Sequence, residues 1–348
     1  MLSFRRHLIH KNATVRDALT RLDALASDAI LFLIEDDDKL IGSLTDGDLR
    51  RGFINGLGFD DLLIRYIQPN PKFVNKTNYS LKEIVSYREK NINILPVLND
   101  SKQIVNVINL RHLKSYLPVD AIIMAGGRGE RLKPLTDTIP KPLLPVGGKA
   151  IIEHNVDRLH LFGVDDIWIS VRYLGDKIKS HLMDGAEKSL RIQYIEEETP
   201  LGTVGAIKLA NGLTHDSILV MNSDLLTNIN FEDFYLFFEK NQADMAVACI
   251  PYQVNVPYAV METNEYIVTG FREKPTYTHY SNAGIYLMRK SVLDFIPDGV
   301  HFHATDLMQT LLSKNKKVCA YPLMNYWLDI GKHEDYKKAQ EDILHLAL

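Results

Sequence analysis

The stretch IIMAGGRGERLKPLT, Ile122–Thr136, sets four apolar residues directly before a glycine cluster and places Arg128 and Arg131 within it. An apolar run of that length, ended by glycine, reads as a buried strand leading into a loop. Glycine lets backbone approach a ligand closely and adopt dihedrals closed to other residues. Exposed N–H groups beside guanidinium groups make a concavity suited to anions. Two familiar phosphate motifs are absent. Gly127 and Gly129 are followed by Leu132 where the dinucleotide fingerprint needs a third glycine, and Gly148-Lys149-Ala150 lacks the Ser/Thr of a P-loop. Alone, the cluster also fits a tight strand–helix turn with an incidental arginine.

Working outward, apolar runs alternate with helical patterns from Val119 onward. Strands are expected at Val119–Met124, Ile167–Val171, Arg191–Glu196, Ile218–Asn222, Met245–Ile250 and Ile285–Met288. Helices are expected at Ile151–Phe162, Asp176–Met183, Val204–Ala210, Phe231–Asn241 and Thr305–Lys314. Such alternation predicts an α/β fold with a mainly parallel sheet. Ligands in these sheets sit beyond the carboxyl ends of the strands, where the glycine cluster falls.

Before Val119 the chain repeats itself. ILFLIEDDDKLIGSLTDGDLRR, Ile30–Arg51, aligns without gaps to ILPVLNDSKQIVNVINLRHLKS, Ile94–Ser115. Each copy reads as strand, polar turn, strand and helix, preceded by a helix near Val15–Ala26 or Leu81–Lys90. The acidic run Glu35–Asp38 suits a solvated hairpin turn. Proline in YLPVD, Tyr116–Asp120, marks a boundary, which divides the chain into domains 1–117 and 118–348.

The 348 residues carry 24% charged side chains and a net charge of −4, so no bulk basic field invites nucleic acid or an anionic membrane. No apolar run reaches membrane-span length, and MLSFRRHLIHKN lacks the apolar core of a signal peptide. Cys249 and Cys319, each in an apolar segment, fit free thiols in a reducing compartment. The expectation is a soluble cytoplasmic protein that forms a homo-oligomer.

Candidate chemistry lies downstream of the glycines. Lys141, between prolines in PKPLLPV, sits in a stiff extended segment that fixes where its ammonium reaches. Asp224 follows the apolar strand ILVMNSD, Glu273 and Lys274 adjoin in FREKP, and Asp329 ends YWLDIG. Mg²⁺ needs only one or two carboxylates beside substrate phosphates, a role open to Asp224 and Asp329; either also suits a helix cap or turn.

Two resemblances gather these features. The N-terminal region resembles a tandem pair of CBS domains, carried by GSLTDGDLRR. The resemblance implies that Thr45 and Asp48 meet the ribose and phosphate of an adenine nucleotide. The second copy has Asn109 and His112 there, so at most one such site is expected, and a packing or dimerising role stays open. From Val119 to Leu348, the ordered set MAGGRGERLKPLT, PKPLLPV, PLGTVGA, NSD, EKP, NAG and WLDIG resembles the sugar-1-phosphate nucleotidyltransferases. That resemblance implies a Rossmann-like catalytic fold and a reaction in which a nucleoside triphosphate and a sugar 1-phosphate give a nucleotide-sugar and pyrophosphate. It places Ala125, Gly126, Gly127, Gly129, Gly202 and Gly205 along the nucleotide, Arg131 on the β- and γ-phosphates, and Lys141 on the α-phosphate. Asp224 and Asp329 would hold Mg²⁺. Glu273, Lys274, Asn282 and Gly284 would line the sugar phosphate pocket, so Arg131, Lys141, Asp224 and Lys274 form the expected catalytic set. Glu130 stands where threonine is commoner, and NSD replaces the frequent GD; the charged groups are intact.

No nucleophile–base triad stands out, and such a reaction needs none: the attacking phosphate has a second pKa near ~6 and is largely ionised at neutral pH. Similarity in PKPLLPV and PLGTVGAI leans towards guanylyltransferases for mannose, glucosamine or heptose phosphates, with thymidylyl-, uridylyl- and cytidylyltransferases as alternatives. A catalytically silent sensor or regulatory subunit competes with the active enzyme, although Arg131, Lys141, Asp224, Lys274 and Asp329 are all present. The chain after Asp329 reads as one helix, which argues against an acyltransferase tail. His301 and His303 are expected at a helix entrance, Glu196–Glu198 at a solvated loop edge beside the nucleotide, and Trp327 in packing.

Overall fold

The computed structural model describes residues 3–346. By internal contacts the chain divides into two compact units. One is Met1–Asp120 with Leu159–Ile167 and Met183–Gln193; the other is Ala121–Arg158, Trp168–Leu182 and Tyr194–Leu348.

The N-terminal unit contains the repeat as two three-stranded sheets. In the first, Leu8–His10 runs parallel to Ile30–Ile34, which pairs antiparallel with Leu40–Thr45. In the second, Val74–Asn75 runs parallel to Ile94–Leu98, which pairs antiparallel with Ile104–Asn109. Both hairpins shift register at the same place in the repeat, Leu33/Ile34 and Val97/Leu98. A strand buried on both faces explains why Ile30–Ile34 is apolar throughout. Leu31 and Leu33 pack with Val15, Ala18 and Leu22 of the helix Val15–Leu25, while Phe32 and Ile34 meet Leu98 and Ile104 of the other copy.

The copies part at their last element. Thr45 caps a helix, Asp46–Ile54, and its side chain and that of Asp48 bond each other's backbone N–H groups. The helix expected after Asn109 does not form. Asn109 instead accepts the Arg111 N–H two residues on, at 3.0 Å, and the Lys114 N–H goes to the Leu161 carbonyl at 2.7 Å. His112, standing where the first copy has Asp48, carries no carboxylate to close a capping box.

The C-terminal half is built on a seven-stranded, mainly parallel sheet. Its order is Arg191–Glu196, Asp166–Val171, Asp120–Met124, Ser217–Asn222, Thr276–Arg289, Met245–Asn255 and Val318–Pro322. Thr276–Arg289 is antiparallel to both neighbours, and Met245–Asn255 is parallel to Val318–Pro322. These two strands run to 14 and 11 residues, well past the short apolar runs that announce them, because their outer parts pair with each other in solvent. Side-chain patterning marks only the buried part of such a ladder. The helix expected at Val204–Ala210 is a 3₁₀ turn, Gly205–Leu209. Gly205 explains why the backbone crowds here, since a Cβ on it would lie 2.8 Å from the Val300 carbonyl oxygen.

Candidate active site

Beyond the carboxyl ends of the central strands lies a cavity of about 500 Å³, within the range of small-molecule sites. Its floor is the glycine loop. Ala125 still belongs to the sheet, donating its N–H to Ser170 at 2.9 Å. At Gly127 an added Cβ would meet nothing within 4 Å, so this backbone faces open space. Gly129 is left-handed at φ +65°, and a Cβ there would come within 2.9 Å of the Lys141 Cβ. Glycine at 129 thus lets the loop fold onto the lysine segment.

Lys141 opens a 3₁₀ turn, Lys141–Leu143, and is largely buried, with its ammonium bonded to the Asp224 carboxylate. Asp224 lies just beyond the strand Ser217–Asn222 and heads the short strand Leu225–Thr227. That strand pairs antiparallel with Trp327–Asp329, setting Leu225 opposite Asp329, and Ile330 donates its N–H to the Asp224 carbonyl at 3.0 Å. Two carboxylates far apart in sequence therefore share one corner. Oδ1 of Asp224 and Oδ1 of Asp329 are both buried without a hydrogen-bond partner. Burial, and then the charge of Asp224, push the Asp329 carboxyl above its ordinary range, against the opposing pull of Lys141 and Arg131. Arg131 lies over Gly331, whose missing Cβ would sit 3.5 Å from the guanidinium.

Buried acceptor oxygens normally find donors or a cation. Two such oxygens, on carboxylates that repel each other and of which Asp224 lines the cavity, fit a hard divalent ion that takes its other ligands from water and phosphate. No group of three or more metal-ligating side chains occurs among the described residues, so the protein's share would be these two carboxylates.

Of the other expected residues, Gly126 and Gly202 line the cavity, whereas Gly205 is buried behind it. Gly202, left-handed at φ +77°, leaves room for the backbone of Phe302. Asn222 lines the cavity, and Gly284 lies directly behind its amide, where a Cβ would stand 2.6 Å away. Asn282 bonds the Gly284 N–H and the Tyr286 hydroxyl, each at 2.9 Å. Glu273 and Lys274 are exposed at the outer end of the long strands and do not line the cavity.

Glu197, Arg172, His301 and His303 also line the cavity, and the sequence motifs assign none of them a role there. Glu197 is not a solvated loop edge: it is buried, accepting from the Ser170 hydroxyl and from the Leu201 N–H at 3.1 Å, while Glu196 and Glu198 point to solvent. The strand Arg191–Glu196 buries Ile192 and Ile195, which fall on opposite parities of a period-two alternation, so no local pattern marks Glu197 as buried. Arg172 follows the strand Asp166–Val171 into the cavity wall. His301 and His303 do stand at the entrance of the helix Ala304–Ser313, with His303 at its cap and donating its N–H to Asp306 at 2.8 Å, but they also line the cavity. Trp327 packs as expected, its indole N–H on the Ala283 carbonyl at 2.9 Å.

Comparison with known proteins agrees with this geometry. The Nucleotidyl transferase family model matches residues 120–345, and the CBS domain model matches residues 7–55. A mannose-1-phosphate guanylyltransferase of Mycobacterium tuberculosis is 32% identical over 234 residues, 65% of each chain. A mannose-1-phosphate guanyltransferase of Schizosaccharomyces pombe is 32% identical over 225 residues, 62% of each. The chain thus spans slightly less than two thirds of these relatives' lengths. Among solved structures, HddC from Yersinia pseudotuberculosis is 28% identical with a TM-score of 0.50, covering 65% of this chain and 99% of its own.

Proposed function

The chain belongs to the nucleotidyl transferase family, and from that premise we infer that it transfers a nucleotidyl group, guanylyl first, from a nucleoside triphosphate to a sugar 1-phosphate of the mannose type. The observation that carries this reading is the corner where Lys141, Asp224 and Asp329 meet beside an open glycine backbone. An oxygen of the sugar phosphate attacks the α-phosphorus, the bond to the bridging oxygen breaks, and pyrophosphate leaves with the electron pair. The two anionic reactants repel, and the chain's contribution is to position them in line and offset their charge. Gly127 offers backbone close to the triphosphate; Arg131 and Lys141 supply fixed cations, Lys141 turning from Asp224 towards the α-phosphate. Lys274 and Glu273 are assigned to the sugar phosphate, as are Asn282 and Gly284. Asp224 and Asp329 would hold Mg²⁺, which supplies further positive charge to the phosphates when bound.

Glu197 supports the choice of base. A buried carboxylate in a cavity for a polyanion is unfavourable near the phosphates, and it suits the other end of the nucleotide. As a carboxylate it only accepts, with two oxygens side by side. Guanine presents adjacent N1–H and N2–H donors; adenine, cytosine, uracil and thymine each put an acceptor beside their donor. Mannose 1-phosphate is proposed because relatives bearing that name cover most of the family-matched region. The same reading carries a reducing cytoplasmic setting for the free Cys249 and Cys319, a homo-oligomer, and neither nucleic acid nor membrane as partner. No helix among the described residues is long and apolar enough to cross a membrane.

Pyrophosphate release, measured for four nucleoside triphosphates against mannose, glucosamine, glucose and heptose 1-phosphates, tests the proposal. GTP with mannose 1-phosphate should be fastest, and Glu197→Gln should lower the GTP-to-UTP ratio of kcat/KM by about 10–10²-fold, the worth of a hydrogen bond to a charged group, about 1.5–3 kcal/mol. No release with any pair would leave the silent sensor as the function.

A further inference from the structure

The N-terminal unit has a second cavity, of about 180 Å³, between the turn Ser3–His7 and the second repeat's strand Ile104–Asn109. We propose that it binds a small oxyanion, inorganic phosphate or the phosphate of a small ester, held by Arg6 and His112.

The lining decides the sign of the ligand. Arg6, His7, Asn109, His112 and His160 contribute to it, and none of the described residues lining it is acidic. Two carboxylates stand behind the lining: Asp165, which accepts from the Asn106 amide at 3.1 Å, and Asp28, which is buried and anchors the cations around it. Arg6 lies 3.5 Å from it, Arg111 3.2 Å and His112 3.7 Å. Burial alone would raise the Asp28 carboxyl, but Asn109, His112 and Arg111 outweigh it and hold it below the usual range. One carboxylate thus faces two guanidinium groups and an imidazole, which leaves positive charge beside the cavity. The buried Asn109 amide lies against Asp28 and helps to hold it. His7 is buried and fixed through Nδ1 on the Ile30 carbonyl at 2.9 Å.

The first repeat shows what closes such a place. At the equivalent positions Thr45 and Asp48 bond each other, and Asp48 also takes Arg51 and Gln68. In the second repeat histidine replaces the aspartate, the helix is lost, and a basic cavity takes its place. Its volume is about six times that of a liquid water, room for a phosphate with a few bridging waters. It shares no lining residue with the catalytic cleft.

Calorimetric titration of the full chain with inorganic phosphate tests the assignment. Binding should weaken at least tenfold in Arg6→Ala and in His112→Asp, the latter giving the second repeat the acid of the first. It should persist in Lys141→Ala, whose cleft is altered. Both cavity side chains are largely exposed and outside the cleft, so their variants should keep the wild-type fold and rate of pyrophosphate release, with a lowered melting temperature where Asp28 loses a partner. No heat with the wild type, or binding that is unchanged in both cavity variants, overturns the proposal.

Discussion

Asp48 in the N-terminal unit and the pair Asp224 and Asp329 in the catalytic cleft are withdrawn from water in opposite ways. Asp48 is satisfied by the chain: Oδ2 accepts from the Thr45 N–H at 2.9 Å and hydroxyl at 2.6 Å, and Oδ1 from Arg51 and from Gln68 at 3.2 Å. Asp224 and Asp329 each keep one buried oxygen without a donor, and they sit on paired strands where their charges oppose each other. The first arrangement stabilises a helix start. The second is stable only because the rest of the fold holds it, which is the usual condition of a site built for something outside the chain. Thr45 and Asp48, expected to meet a nucleotide, are engaged with each other; the cleft carboxylates each keep an oxygen open.

The sharpest way to break this contrast is to neutralise each side. Asp224→Asn and Asp329→Asn should lower kcat by about 10²–10³-fold, the cost of removing one preorganised electrostatic partner of a transition state. The thermal stability of Asp329→Asn should hold or rise, because it removes a charge that burial and Asp224 disfavour. Asp48→Asn should do the reverse, leaving turnover unchanged and lowering stability by about 1–3 kcal/mol through the loss of charged hydrogen bonds. Steady-state kinetics and melting curves on the three proteins check this, along with the loss of activity in EDTA. Full activity of either cleft variant would remove the metal assignment.

A smaller effect separates the two lysines. Lys141 is buried on Asp224, and Lys274 is exposed at the outer end of the long strands with a left-handed φ of +42°. Lys141→Ala should therefore lower kcat by about 10²-fold, while Lys274→Ala should mainly raise the KM for sugar phosphate, by about 10-fold. If Lys274→Ala leaves that KM unchanged, the sugar phosphate is held by other residues.

How far the sequence reaches follows the same division. Runs such as Asp120–Met124 and Asp166–Val171 are legible because the second is buried over its whole length and the first over all but Met124. Arg131, Lys141, Asp224 and Asp329 converge because their motifs lie at loop and strand ends, where local pattern and final position agree. The burial of Glu197 is not legible because it depends on Ser170 and Leu201, partners that no local pattern announces. The second repeat's absent helix turned on Asn109 bonding Arg111, a two-residue choice that overrides the similarity of the copies. Glu273 and Lys274 had a recognisable motif, but the distance between a motif and a cavity is a tertiary property.

The finest prediction concerns pH. Asp48 titrates below the usual carboxylate range in the fold, since its bonds from Thr45, Gln68 and Arg51 outweigh the upward push of burial. Its stabilisation is therefore complete above its unfolded pKa of about 3.9 and is lost as pH falls through the folded value. Asp329 titrates above its unfolded value. Ionising it costs nothing extra below pH ~3.9, and the cost grows as pH rises through the folded pKa. The melting-temperature difference between Asp48→Asn and wild type should thus be negative at neutral pH and shrink on acidification. The difference for Asp329→Asn should be positive at neutral pH and also shrink. Thr45→Ala, which removes one bond to Asp48 and the cap on the helix Asp46–Ile54, should cost about 1 kcal/mol, with the same pH dependence as Asp48→Asn but smaller. A Thr45→Ala protein that melts like wild type yet no longer gives heat with adenine nucleotides would reverse the contrast, assigning the first repeat to ligand rather than to its own helix.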